Sequence, residues 1–273
     1  MTNFAITVVS DPVCPWCYIG KKRLDSAIAL YKKVYPNARH DTFSVTWKAY
    51  YLDPTAPARG ISWEERAIQK LASTSNSSAA DSDRDLSDQD KQERVRQLRD
   101  RLARIGRAEG IEFSFAGKIG NTRSAHRAIA FSAMPSSLPT TTSTTTTPST
   151  TTTPTPTPTP NSNSNPQDPS PSQNQFVTAL FASYFEGTTD ITSHEALADV
   201  AARAGLDRAR MLAYLDSEDE QENGGNEVDA GIRGVPNFTV QGRRLDGAGD
   251  VQEFLDLFIK IKEEKEEKSA ARE

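Results

Sequence analysis

The chain has 273 residues, 36% of them hydrophobic, with 32 basic against 37 acidic side chains and a formal charge of −5. That length can bury a core as one large domain or two small ones, while the low apolar content leaves part of it outside any core. The mild acidity argues against a nucleic-acid groove, and no apolar run approaches the ~20 residues that span a bilayer.

In chain order, "NFAITVVS" alternates and is β-branched, which predicts a buried strand over Phe4 to Ser10. "DPV" breaks it. From Cys17 the run "CYIGKKRLDSAIALYKKVYP" sets Ile19, Leu24, Ala27, Ile28 and Tyr31 at helical spacing until Pro36 stops it. "FSVTWKAYYL" is a second strand, followed by the loop "DPTAPARGI". These make a βαβ unit with two cysteines at its first strand-to-helix turn.

The middle reads as helical. In "SWEERAIQKLAS", Ser62 and Glu65 have the spacing of a capping box. A polar loop over 74–88 separates it from "QDKQERVRQLRDRLARIGRAEGI", with Val95, Leu98, Leu102 and Ile105 on one face and Gly106 and Gly110 at its end. "NTRSAHRAIAFSAM", "NQFVTALFASYFEG", "SHEALADVAARAGL" and "DRARMLAYLDS" are further helices. Between the first two of these, residues 136–174 are rich in threonine, proline and serine. They cannot bury enough apolar area to offset chain entropy, so they are expected to be disordered and carry no chemistry. "GVPNFTVQGRRLDGAG" gives two strands around Gly242, and "DVQEFLDLFIKIKEE" an amphipathic helix on Val251, Phe254, Leu255, Phe258 and Ile259. The charged tail reads as a solvated helix end.

Cys14 and Cys17 are the only cysteines, in "CPWC". So close a pair closes almost no loop and makes a poor staple. Zinc wants four ligands, and His40, His126 and His194 are scattered singly, so no metal site is expected. Two inert buried thiols would not explain the placement at a strand–helix turn, where a CxxC reads as redox. At the amino end of a helix, Cys14 meets unpaired amides and the positive end of the helix dipole, which favour thiolate. Cys14 is therefore expected to be the exposed, acidic, attacking thiol and Cys17 the resolving one. Pro15 suits the first turn, and Trp16 makes a flat apolar lip beside the sulfur. The amino terminus shows no signal peptide, so a cytoplasmic protein is expected, where structural disulfides are rare. Val235-Pro236 stands just before a strand; a cis bond and an ordinary strand-opening proline both fit.

"SDPVCPWCYIGKKRL", "GKIGNTRSAHRAI", "YFEGTTDITSHEALADVAARAGLD" and "GVPNFTVQGRRLDGAGDVQEFL" together resemble the FrnE-like branch of the DsbA-type thioredoxin-fold oxidoreductases. The resemblance implies an α/β thioredoxin fold interrupted by an inserted helical domain: residues 1–60 and 217–267 form the thioredoxin part, 61–216 the insertion and 268–273 a charged tail. It also implies thiol–disulfide exchange by Cys14 and Cys17, a cis Pro236 against the pair, and substrate contacts from Pro15, Trp16, Val235 and Pro236. Asn121, Thr122, Arg123 and His126 are candidates for the cleft wall. No bound cofactor is expected. The partners would be a disulfide-bearing protein or small molecule and a recycling thiol reductant or oxidant, with neither nucleic acid nor membrane. Two rivals stand beside this reading. One is glutathione-dependent transfer or isomerisation, of the kappa-class or 2-hydroxychromene-2-carboxylate isomerase type, with glutathione as co-substrate. The other is an interaction protein that has lost catalysis. Members of the DsbA-type family tend to be apolar just after the cis proline, where this chain has Asn237, and the "RRLDGAGD" turn is more charged than is usual among them. The strong periplasmic oxidants carry histidine at the position of Trp16, so a less oxidising couple is expected here.

Overall fold

The computed structural model describes residues 1–74, 87–134, 171–217 and 231–271. The central strand β1 (Asn3–Ser10) runs parallel to β2 (Thr42–Ala49), in register from Asn3 with Thr42 to Ser10 with Ala49. Parallel neighbours need a crossover, and helix α1 (Pro15–Val34) supplies it. The other edge of β1 pairs antiparallel with β5 (Asn237–Val240), which turns back into β6 (Arg243–Asp246), giving the order β2-β1-β5-β6.

The predicted alternation of β1 is real. Phe4, Ile6 and Val8 are buried, and Phe4 stacks on Phe43 with ring centres 4.7 Å apart. Tyr31 of α1 and Phe258 of α8 (Val251–Ala270) close this aromatic cluster, and the two helices pack together. Below the cluster, Asp41 accepts hydrogen bonds from Lys262, Tyr31 and the Thr2 amide. Lys262 is therefore buried, although it opens the charged run "KEEKEEKSAARE", which reads as a solvated helix end. Helix α8 continues to Ala270, so the first three residues assigned to the charged tail are helical. Its start is a full capping box between Asp250 and Glu253.

The helical region between the two halves of the sheet contains α2 (Trp63–Thr74), α3 (Asp88–Ala108), α4 (Arg123–Ser132), α5 (Pro171–Phe185), α6 (His194–Arg203) and α7 (Arg208–Asp216). A two-stranded ribbon, β3 (Ile61–Ser62) with β4 (Lys118–Ile119), was not anticipated, because two residues are too short to show a period. The Ser62 hydroxyl accepts from the Glu65 amide, as capping predicts. Ser87, Ser193 and Asp207 cap α3, α6 and α7. Gly106 does not end α3. It lies inside the helix, with Phe113 packed where a Cβ would stand, while Gly110 past the end takes φ +70°.

Residues 135–170 and 75–86 lie outside the described residues, and with them most of the expected disordered segment and polar loop. Positions 171–174, assigned to that disordered segment, instead open α5. Gln173 accepts from the Trp47 amide and donates to the Ile129 carbonyl, and Asn174 accepts from the Trp47 indole. These partners lie on β2 and α4, far away in sequence. No helix among the described residues is long and apolar enough to cross a membrane.

Candidate active site

The strand β1 ends at Ser10, and Asp11 turns the chain. The Asp11 carbonyl accepts from the Cys14 amide at 3.0 Å, which sets Cys14 as the extended N-cap of α1 (φ −85°, ψ 112°). Pro15 follows at the first helical position, where no amide is missed. The Cys14 carbonyl accepts from the Cys17 amide at 3.0 Å, so the two cysteines stand on one turn.

Val235-Pro236 is cis. Its segment lies over the cysteines, and the Cys14 thiol points at the Val235 carbonyl at 3.7 Å. That cover corrects one expectation: Cys14 is 4% exposed, and thus buried, not open. Cys17 is 1% exposed. Trp16 and Val235 are half-buried against the same core, and Pro236 is buried.

The Cys14 thiol is nevertheless acidified. The largest cause is a hydrogen bond from the Cys17 side chain; the Cys17 and Trp16 amides add to it, against burial and the negative charge of Asp11. The helix-end amides were expected to lead and instead support. Cys17 is held well above the usual thiol range, first by burial and then by Cys14 beside it. The pair thus splits into one thiol poised to ionise and one that keeps its proton.

Asp11 was read only as a strand breaker, and the structure makes it a junction. One carboxylate oxygen accepts from the Leu52 amide at 2.8 Å, the other from the Val13 amide at 3.3 Å, and the Thr122 hydroxyl also bonds to it. It is fully buried, and that burial pushes its pKa up to about 6. His126 on α4 is buried beside it. Its Nε2 donates to the Tyr50 carbonyl at 3.1 Å, and burial pushes its pKa down to about 4. Of the predicted cleft residues, Thr122 and His126 therefore reach the cysteine loop through Asp11. Asn121 does not: its side chain accepts locally from the Arg123 amide, and Arg123 stands over the Tyr51 ring.

A pocket of about 330 Å3 opens beside the cysteine loop. Val13 and Pro15 form one wall, and Trp63, Leu71, Val95 and Leu98 of α2 and α3 form the facing one. Leu98, expected in the core, is 44% exposed because it lines this space. Asp53 at the rim is bridged by Arg66 and lies 3.3 Å from Lys70. Neither pocket nor rim was visible in the sequence, since its residues come from five separate segments. Among the described residues no group of three or more His, Cys, Asp or Glu side chains could hold a metal ion.

Asn237 is completely buried on β5. It faces Asp246 across the β5–β6 ladder, and its amide donates to the Asp246 carboxylate. The polar residue and the charged "RRLD" strand are therefore two halves of one cross-strand pair.

The chain belongs to the DSBA-like thioredoxin domain family, whose model matches residues 5–141 and 166–258. Among solved structures it is similar to a probable DsbA oxidoreductase from Streptomyces coelicolor, with 19% identity and a TM-score of 0.61 over 94% of this chain and 89% of that one. It is also similar to a 2-hydroxychromene-2-carboxylate isomerase, with 13% identity and a TM-score of 0.53 over 98% of this chain and 99% of that one. A candidate protein disulfide isomerase from Nitrosomonas europaea aligns with a TM-score of 0.51 at 14% identity, over 94% of this chain and 98% of that one. No curated protein matches the chain by sequence.

Proposed function

We propose that this protein is a thiol–disulfide oxidoreductase of the FrnE-like kind, working through Cys14 and Cys17. Family membership supports a disulfide oxidoreductase or a related isomerase. The observation that carries the finer reading is the division of the pair, with Cys14 acidified at a helix N-cap and Cys17 keeping its proton one turn on.

The Cys14 thiolate attacks a substrate disulfide, one substrate sulfur leaves as thiolate, and a mixed disulfide forms. Consuming the Cys14 charge removes one of the influences that hold the Cys17 proton. Cys17 then attacks Cys14, closes the CPWC disulfide and releases the second substrate thiol. The electrons pass from sulfur to sulfur, so no bound cofactor takes part. A cytoplasmic thiol reductant would return the pair to its starting state. Pro15 and Trp16 flank the approach, and Val235 and Pro236 form its opposite side.

The pocket beside Pro15 favours keeping a second reading, glutathione-dependent transfer or isomerisation of a small apolar substrate, with Cys14 binding the glutathione sulfur. One variant separates them. Cys17→Ser should arrest disulfide exchange and accumulate mixed disulfides on Cys14, visible by mass spectrometry under non-reducing conditions. Turnover that survives Cys17→Ser and requires glutathione would favour the second reading. Reduction of insulin no faster than by a Cys14→Ser control, with no glutathione-dependent turnover either, would support a non-catalytic role.

A further inference from the structure

On the far side of α4 from the cysteine loop stands a second chemical cluster. The Ser124 hydroxyl lies 2.9 Å from His194 Nε2, and His194 Nδ1 lies 2.7 Å from the Asp216 carboxylate. The carboxylate accepts from Nδ1–H, and in the neutral imidazole this tautomer leaves the Nε2 lone pair facing the serine hydroxyl. Nucleophile, base and orienting acid thus stand in one line, the arrangement that activates a serine on unrelated folds. We propose that Ser124, His194 and Asp216 form an acyl-transfer centre for small carboxylic esters, separate from the cysteine pair.

The mounting is rigid. Ser124 is in the first turn of α4, His194 opens α6, and Asp216 ends α7. Arg127, one turn beyond Ser124, donates to the carbonyls of Tyr214, Leu215 and Ser217, which brackets Asp216 and ties it to the helix bearing the serine. The site is also open, since the His194 side chain is 30% exposed and that of Asp216 59%. Thr122, the N-cap of α4, places no side-chain acceptor on the first-turn amides. The amide of Ser124, in the first turn of α4, has no intrahelical partner and is the candidate to hold the oxyanion.

The step balances without an oxidant or reductant. Ser124 Oγ bonds to the ester carbonyl carbon, and His194 takes the hydroxyl proton and returns it to the departing alkoxide, which leaves as an alcohol. Water repeats the sequence on the acyl-serine and releases the acid.

The test treats the full-length chain, with Cys14→Ser and Cys17→Ser removing thiol acylation, with a fluorophosphonate and maps the adduct by peptide mass spectrometry. The expected result is one phosphonyl group on Ser124. The rate should fall about 100-fold or more in His194→Gln, the usual share of a general base. It should fall less in Asp216→Asn and recover in part in Asp216→Glu, with unchanged thermal midpoints. p-Nitrophenyl acetate should be hydrolysed by the parent and not by Ser124→Ala. No adduct on Ser124 in the folded parent, or an equal rate in folded His194→Gln, would overturn the proposal, and the adduct's position in the parent needs no further variant to fold.

Discussion

Asp11 Oδ1 stands 3.9 Å from Nε2 of His126, and between about pH 4 and pH 6 neither group is charged. Burial raises the acid and lowers the base, so their close approach is not an ion pair in that range. In the unfolded chain over the same range, the aspartate has lost its proton and the histidine has gained one.

The stability consequences oppose each other. For Asp11 the native state keeps a proton that the unfolded state has released, so its contribution falls as pH rises from about 4 to 6. For His126 the unfolded state binds a proton the native state refuses, so its contribution rises with pH from about 4 to 6.5. Each amounts to roughly 3 kcal/mol across the window, at about 1.4 kcal/mol per pKa unit. The pair should give a nearly flat stability profile there. Asp11→Asn should lose stability on acidification through that range, and His126→Asn should gain it. Urea unfolding at several pH values reads both slopes.

Cys17 is the largest acidifying influence on Cys14. Cys17→Ala should therefore raise the Cys14 pKa, while Cys17→Ser, which keeps a donor, should raise it less. The ultraviolet absorbance of the thiolate, followed against pH, measures both.

Trp16 offers no cation to the thiolate. Trp16→His should stabilise the reduced pair and make the couple more oxidising, with about 30 mV for each tenfold change in the exchange constant. Equilibration with glutathione buffers gives the value. A parent chain already as oxidising as the periplasmic oxidants would contradict this ranking.

Asp246→Ala should cost about 1–3 kcal/mol, because it strands the buried Asn237 amide without an acceptor. Replacing both residues with valine should recover much of that loss, since it removes donor and acceptor together. Chemical denaturation of the singles and the double forms the cycle.

Leu71 lines the pocket facing Pro15. Leu71→Trp should fill part of the space and raise KM for small disulfides, with the Cys14 ionisation unmoved. Steady-state kinetics on a small aromatic disulfide, beside the thiolate titration, separates the two effects.

The legible parts of this protein are local. The cysteine pair, its proline and the helix that follows sit within one short stretch, and β1 shows its period directly. The illegible parts join distant residues. Asp11 acquires its role from Leu52 and Thr122, Lys262 is drawn inward by Asp41, and Gln173 is ordered by Trp47. Each of these is a polar side chain whose fate depends on a partner at least 40 positions away, which no period or propensity records. The cover over Cys14 is the same kind of fact, since Val235 lies 221 residues along the chain.

The acidity of one sulfur is the centre of the mechanism, and the pH dependence of alkylation at Cys14 measures it most directly. Iodoacetamide labelling followed by peptide mass spectrometry should find Cys14 modified with a midpoint below that of an ordinary thiol, while Cys17 stays unmodified until far higher pH. A Cys14 midpoint at or above that of free cysteine, or equal labelling of the two residues, would contradict it.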